Sequence, residues 1–269
     1  MGAIGVFDSG YGGLTVLKAF LEVMPEYDFI YYGDNNRAPY GTRTFEEVYD
    51  FTLDAVKQLF DKDCPLIILA CNTASAKALR TIQRKYLPVY EPDKKVLGVI
   101  RPSAEVVGEM SKTHHIGLLA TEGTVRSESY RLELEKFSPH IDLFQHACPK
   151  WVPLIENGEW DSETGRVQIQ SDLNQLLKMS PQIDTILLAC THYPILESYL
   201  KTIIPNGIQI VSQGKIVANS LSDYLKRHPE IENQLSKNGT VNYYTSGNPE
   251  IFNLQAEKII QMKTNAKLI

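Results

Sequence analysis

A chain of 269 residues is long for one compact domain, and ordinary domain sizes point to two. With 43% hydrophobic and 22% charged residues it has the composition of a globular protein with a substantial core, which argues against disorder over most of its length. A net charge of -5 with no long Lys/Arg stripe argues against nucleic-acid binding, and no apolar run nears the roughly 18 residues of a membrane span.

In chain order, Ala3 to Phe7 is a short apolar run that ends at Asp8 and Ser9. Gly10, Gly12 and Gly13 follow, then an amphipathic stretch from Leu14 to Met24, so the segment reads as strand, tight loop and helix. Lys18, Glu22, Glu26 and Asp28 break the apolar positions, so no signal-peptide core is present and a cytoplasmic location is expected. Leu66 to Ala70 leads through Cys71 into Asn72, Thr73 and a helix to about Tyr86. Val96 to Ile100 leads into Arg101-Pro102-Ser103. Apolar runs recur at Ile116 to Ala120, Ile141 to Phe144 and Ile186 to Ala189, each followed by polar residues and a helical period. This alternation predicts parallel, doubly wound α/β sheets.

The two halves also repeat. Ile4-Gly5-Val6-Phe7-Asp8-Ser9 aligns with Ile116-Gly117-Leu118-Leu119-Ala120-Thr121, and Ile67 through Thr73 aligns with Ile186 through His192, at offsets of 112 and 119 residues. Buried parallel strands look alike, but a matched Ala-Cys followed by amide or hydroxyl residues is harder to assign to chance. The expectation is two similar doubly wound α/β lobes, residues 1–98 plus 212–269 and residues 99–211, with a site in the cleft between them. Helical periods at Ile216 to Leu225 and Ile251 to Ile260 would return the chain to the first lobe.

The cysteines number four. Cys64 and Cys148 read as small buried hydrophobes. Cys71 and Cys190 instead stand at the carboxyl ends of buried strands, before a helix, where α/β sheets bind ligands. Helix N–H groups and the dipole would favour a thiolate there and lower the thiol below its free pKa of about 8.5. Two such groups suffice to invert a carbon acid: one takes the proton from one face and the other returns a proton to the opposite face. No Cys-x-x-Cys supports a redox alternative.

Asp8-Ser9-Gly10-Tyr11-Gly12-Gly13, Tyr32-Gly33-Asp34, Pro39-Tyr40-Gly41, Ala70-Cys71-Asn72-Thr73-Ala74 and Cys190-Thr191-His192-Tyr193-Pro194 together resemble the glutamate racemases, in the family's order and over most of the chain. The resemblance implies a cofactor-independent, cytoplasmic, homodimeric enzyme that supplies D-glutamate for peptidoglycan. It implies that Cys71 handles the proton of the D-enantiomer and Cys190 that of the L-enantiomer. Asp8 would assist Cys71 and His192 would assist Cys190, with Asp34 and Glu156 as further acidic residues.

Each assignment has a plainer reading. Asp8 could cap a turn, His192 could be a hydrogen-bonded structural group, Glu156 could favour a helix start, and Pro39-Tyr40-Gly41 could be a simple turn. Because the protein is itself acidic, a dianionic substrate must be held by local donors. The candidates are Ser9, Asn72, Thr73, Thr121 and Thr191, beside Asp8, Cys71, Cys190 and His192, with Pro39, Tyr40 and Gly41 as a wall. Arg101 and Ser212-Gln213-Gly214 depart from the family pattern. The chain begins at its first strand without the N-terminal extension linked to activator control, so regulation by a cell-wall precursor is not expected.

His146-Ala147-Cys148 and Cys190-Thr191-His192 are each a fragment of a four-ligand set, and no metal is expected. The glycines make neither Gly-x-Gly-x-x-Gly nor a P-loop, so no nucleotide is expected. Asn238-Gly239-Thr240 matches a glycosylation acceptor without meaning inside a cell. The rival activities are a racemase for aspartate, another isomerase or decarboxylase on the same lobes, and a two-lobed protein that binds an amino acid without reacting. A one-face protonation needs one cysteine, and a binding protein needs none.

Overall fold

Short apolar runs with no polar face have only one stable setting, the interior of a sheet covered on both sides, and that is where the chain puts them. The structure is a computed structural model describing residues 1–269. Its strands are β1 (Ile4–Asp8), β2 (Phe29–Gly33), β3 (Leu66–Leu69), β4 (Lys95–Gly98), β5 (His115–Ala120), β6 (Asp142–Ala147), β7 (Thr185–Ala189), β8 (Gln209–Ser212), β9 (Val241–Thr245) and β10 (Lys267–Leu268). Every residue of β1, β2, β3 and β7 is buried.

Two sheets form, both entirely parallel. The first has the order β10-β9-β2-β1-β3-β4 and the second β6-β5-β7-β8. The second order is that of β2-β1-β3-β4 in the first, so the internal repeat seen in the sequence is a repeat of strand order. It holds to the residue: Gly5 pairs with Ile67 across β1 and β3, and Gly117 pairs with Ile186 across β5 and β7. The first sheet differs only by the added β9 and β10.

The chain changes lobe twice. Val99 packs in the core of the first lobe and the next residue, Ile100, in that of the second. Val211 belongs to the second core, and Val217, Ala218, Leu221 and Leu225 of the helix Gly214–Arg227 return to the first, against the helix Leu14–Val23. No helix is long and apolar enough to cross a membrane.

Two elements differ from the sequence reading. The strand expected at Ile141 to Phe144 runs from Asp142 to Ala147, through Gln145 and His146. As an edge strand with most of its residues only partly buried, it tolerates polar side chains that an interior strand would not. The helix expected to stop near Tyr86 continues to Tyr90 through a widened π turn, Ile82–Tyr86, just ahead of Pro88, which cannot donate to a regular turn.

Candidate active site

The carboxyl ends of β1, β3, β5 and β7 carry Asp8 and Ser9, Cys71, Thr121, and Cys190. A cavity of about 120 Å³ lies between them, well below the roughly 300–1,000 Å³ of pockets for drug-sized ligands. Its size suits a small polar molecule. Ser9, Pro39, Tyr40, Gly41, Cys71, Asn72, Thr73, Thr121, Glu156, Cys190, Thr191 and His192 all line it, so residues expected from both halves of the sequence meet in one space. A larger groove of about 860 Å³ beside the lobe crossovers contains none of the cysteines.

Cys71 caps the helix Asn72–Lys77. Its sulfur accepts the Ala74 N–H at 3.5 Å, and its thiol donates to Ser9 Oγ at 3.4 Å. The expected lowering of its pKa does not occur: burial pushes the Cys71 thiol up to about 12, and the nearby Asp8 carboxylate adds to the rise. The contacts to Ser9 and Ala74 offset only part of this, because removing a thiolate from water outweighs one turn of helix dipole.

Cys190 has different company. Its sulfur lies 4.0 Å from His192 Nδ1, and His192 Nε2 lies 2.9 Å from Glu156 Oε1. Burial alone would depress the imidazole, but its hydrogen bonds to Cys190 and Glu156 prevail and hold it at about 10, so it donates to Glu156 as an imidazolium. The result is a relay of sulfur, imidazolium and carboxylate.

Asp8 and Asp34 do not line the cavity. Both are fully buried. Asp8 lies behind it, accepting the Gly10 N–H at 2.9 Å and the Thr191 hydroxyl at 3.1 Å, and so ties the first lobe's glycine loop to the second lobe's cysteine loop. Burial raises its carboxyl, against the opposing charge of His192 and the donors around it. Asp34 accepts from Tyr40 Oη at 2.5 Å, from Arg37 Nε at 2.6 Å and from Ser246 Oγ at 2.7 Å. Both of its oxygens are engaged there, so it anchors the Tyr40 wall.

The glycine loop is shaped for close approach. A Cβ on Gly12 would come within 2.4 Å of both His192 Nδ1 and Thr191 Oγ1, which no side chain can do. Thr15 seals the same contact by donating to the Thr191 carbonyl at 2.9 Å. On the opposite wall the Thr73 and Thr121 hydroxyls, one from each lobe, are 2.9 Å apart.

Cys148 is buried in the second lobe's core, as its sequence reading expects, and it also lines the cavity. The signal was available: it follows β6 as Asp34 follows β2, the same strand-end position in the repeat. Burial raises its thiol well above the ordinary range. His146 and Cys148 are joined by Asp172, with ligand atoms within 4.8 Å of one another. The Asp172 carboxylate is held by Trp151 Nε1 at 2.7 Å, Gln168 Nε2 at 3.1 Å and His146 Nε2 at 3.2 Å, which is a complete hydrogen-bonded arrangement without an ion. Cys64 is fully buried away from the cavity, and all four thiols are free.

Fold and site together define a two-lobed α/β protein with a cysteine from each lobe at a shared cavity. Residues 14–221 match the family model described as Asp/Glu/Hydantoin racemase. A glutamate racemase of Ruegeria sp. (strain TM1040) is 38% identical over 96% of this chain and 97% of its own length. The crystal structure of the glutamate racemase isoform RacE1 from Bacillus anthracis superposes with a TM-score of 0.90 at 32% identity, covering 100% of this chain and 97% of that one. That of glutamate racemase from Francisella tularensis subsp. tularensis SCHU S4, in complex with D-glutamate, gives 0.86 at 28% identity, covering 100% and 97%. The chain belongs to the Asp/Glu/hydantoin racemase family.

Proposed function

We propose that this protein interconverts L- and D-glutamate without a cofactor, by proton transfer to and from Cys71 and Cys190 on opposite faces of the α-carbon. The observation that carries this reading is the placement of both strand-end sulfurs in one small cavity.

A thiolate on one side takes the α-proton: the C–H bond breaks, an S–H bond forms, and the electron pair passes into the α-carboxylate as the carbon flattens. A thiol on the other side then gives its proton to the opposite face, and its sulfur is left as the thiolate. For D-glutamate the base is Cys71, and for L-glutamate it is Cys190. Burial holds Cys71 as the thiol. An entering substrate ammonium opposes the Asp8 charge and eases its ionisation. His192, backed by Glu156, serves Cys190 as proton partner. Asp8 orients the Cys71 side, and Asp34 acts through Tyr40. Ser9, Asn72, Thr73, Thr121 and Thr191 supply the neutral donors for the two carboxylates.

The reading extends to a homodimer in the cytoplasm, with D-glutamate supplied to peptidoglycan, and to lobes close to residues 1–98 plus 212–269 and residues 99–211, with Val99 moved to the first lobe and Ser212 to the second. The relatives' names support glutamate over aspartate, and four free thiols fit a reducing compartment.

The test is exchange of the α-hydrogen with solvent deuterium, followed for both enantiomers of glutamate and of aspartate, with reductant and no added cofactor. Exchange with inversion of glutamate is expected. A folded sample that exchanges only aspartate would reassign the substrate, and one that exchanges neither would remove the racemase reading.

A further inference from the structure

Asn72 follows Cys71 and lines the cavity, so the direction in which its side-chain amide points decides whether a ligand meets a donor or an acceptor. A free amide can turn either way; this one cannot. Asn72 Nδ2 donates to Gln213 Oε1 at 2.7 Å, Gln213 Nε2 donates to Tyr130 Oη at 2.6 Å, and Tyr130 Oη donates to Asn72 Oδ1 at 2.7 Å. The three residues close a ring in which each gives one hydrogen and accepts one. The second Gln213 N–H goes to Ser103 Oγ at 2.7 Å, and Ser103 in turn donates to the Val99 carbonyl at 2.7 Å.

All four side chains are buried, so a reversed amide would set oxygen against oxygen where no water relieves it. The ring therefore fixes Asn72 with its oxygen toward Tyr130, one N–H toward Gln213 and one N–H unspent. Its members come from both lobes and both crossovers: Asn72 beside β3, Ser103 in the helix Ile100–Met110, Tyr130 in the helix Ser129–Phe137, and Gln213 where the chain returns to the first lobe. Gln213 supplies the ring's central amide, accepting from Asn72 and donating to Tyr130.

We propose that Gln213, with Tyr130, is a positioning residue that turns the Asn72 amide so that its unspent N–H meets a substrate carboxylate. The inference rests on the reading of the cavity as a glutamate site. A donor that holds the carboxylate equally before and during proton transfer contributes uniform binding, so its loss raises KM and spares kcat.

Four variants test this by steady-state racemisation in parallel with thermal unfolding: Gln213→Leu, Tyr130→Phe, Asn72→Ala, and Asn72→Ala combined with Gln213→Leu. Gln213→Leu is expected to raise the KM for glutamate about tenfold, the worth of one hydrogen bond to a charged group, with kcat changed less than about threefold. Tyr130→Phe is expected to act in the same direction by about threefold. The double variant should match Asn72→Ala alone, because Gln213 acts through Asn72.

A Gln213→Leu protein that melts earlier but keeps its KM, or a double variant whose losses multiply, would overturn the proposal in favour of a packing role. If Gln213→Leu does not fold, Tyr130→Phe decides, with an unchanged KM overturning it. If the unmodified chain does not racemise glutamate, the functional reading falls separately, and calorimetric binding of glutamate to the unmodified and Tyr130→Phe chains decides this one. Equal affinities, or no binding to the unmodified chain, would overturn it.

Discussion

The two lobes share strand order and register and differ in the residues that occupy and succeed the strand ends. Where β1 ends in Asp8, β5 ends in Ala120; where Cys71 is followed by Asn72 and Thr73, Cys190 is followed by Thr191 and His192. The Cys71 side thus has a buried carboxylate behind it and holds its sulfur as a thiol, whereas the Cys190 side has an imidazolium paired to Glu156. A duplicated scaffold places equivalent groups, and a few substitutions at its strand ends then give each sulfur its own electrostatic surroundings. Backbone repetition sets geometry; side-chain divergence sets charge.

The comparison breaks most sharply at the sulfurs themselves. Cys71→Ala and Cys190→Ala should each lower inversion by at least about 10²–10⁴-fold, the usual contribution of positioned proton transfer, when followed by polarimetry. Cys64→Ala and Cys148→Ala should each stay active, Cys64 because it lies away from the cavity and Cys148 because burial and the nearby Asp172 carboxylate hold it as a thiol. Equal losses from all four would mean that packing, not proton transfer, is being measured.

A smaller effect is expected where the lobes touch. Gly12→Ala forces a methyl into His192 and Thr191, at a cost of about 1–3 kcal/mol of overpacking, and should displace the His192 side alone. Urea unfolding measures the loss of stability. A variant as stable and active as the unmodified chain would show that the loop gives way, and that the glycine does not set the spacing between lobes.

A further effect is one of pH. The pKa of His192 is raised on folding, from an ordinary 6.5 to about 10, so its contribution is complete below pH 6.5 and is lost as pH rises through about 10. Over that window the unmodified chain should lose stability by at most about 1.4 kcal/mol per pH unit from this group. His192→Asn should flatten the slope in unfolding series run at several pH values. The raised Cys71 thiol acts in the same sense only above about pH 9. An unaltered slope in the His192 variant would place the linkage elsewhere.

Much of this arrangement was legible in the sequence because parallel strands write themselves as apolar runs and a repeat doubles the signal. Cys71 and Cys190 were found by position, at strand ends, and the cavity brings them together. The same rule pointed to Cys148, but β6 carries polar residues beyond its apolar start, which hid where the strand stopped. What the sequence could not carry was solvation. The helix dipole is visible in a pattern, whereas the burial that overrides it at Cys71 is made by loops from elsewhere in the chain. The family resemblance implies Asp34 at the site, yet only coordinates reveal that it lies outside the cavity lining with Tyr40, Arg37 and Ser246 on its oxygens. The ring of Asn72, Tyr130 and Gln213 joins residues up to 141 positions apart, beyond any local pattern.

The double crossover has a consequence for biogenesis. Strands β5 to β8 are consecutive, so the smaller sheet has all its members once residue 212 leaves the ribosome, while the larger sheet must wait for β9, at 241–245, to lie beside β2. The half bearing His192 is an uninterrupted insert that can consolidate first. The half bearing Asp8 is closed only by the last stretch of chain, so a nascent polypeptide stalled before β9 would present a finished insert on an incomplete host.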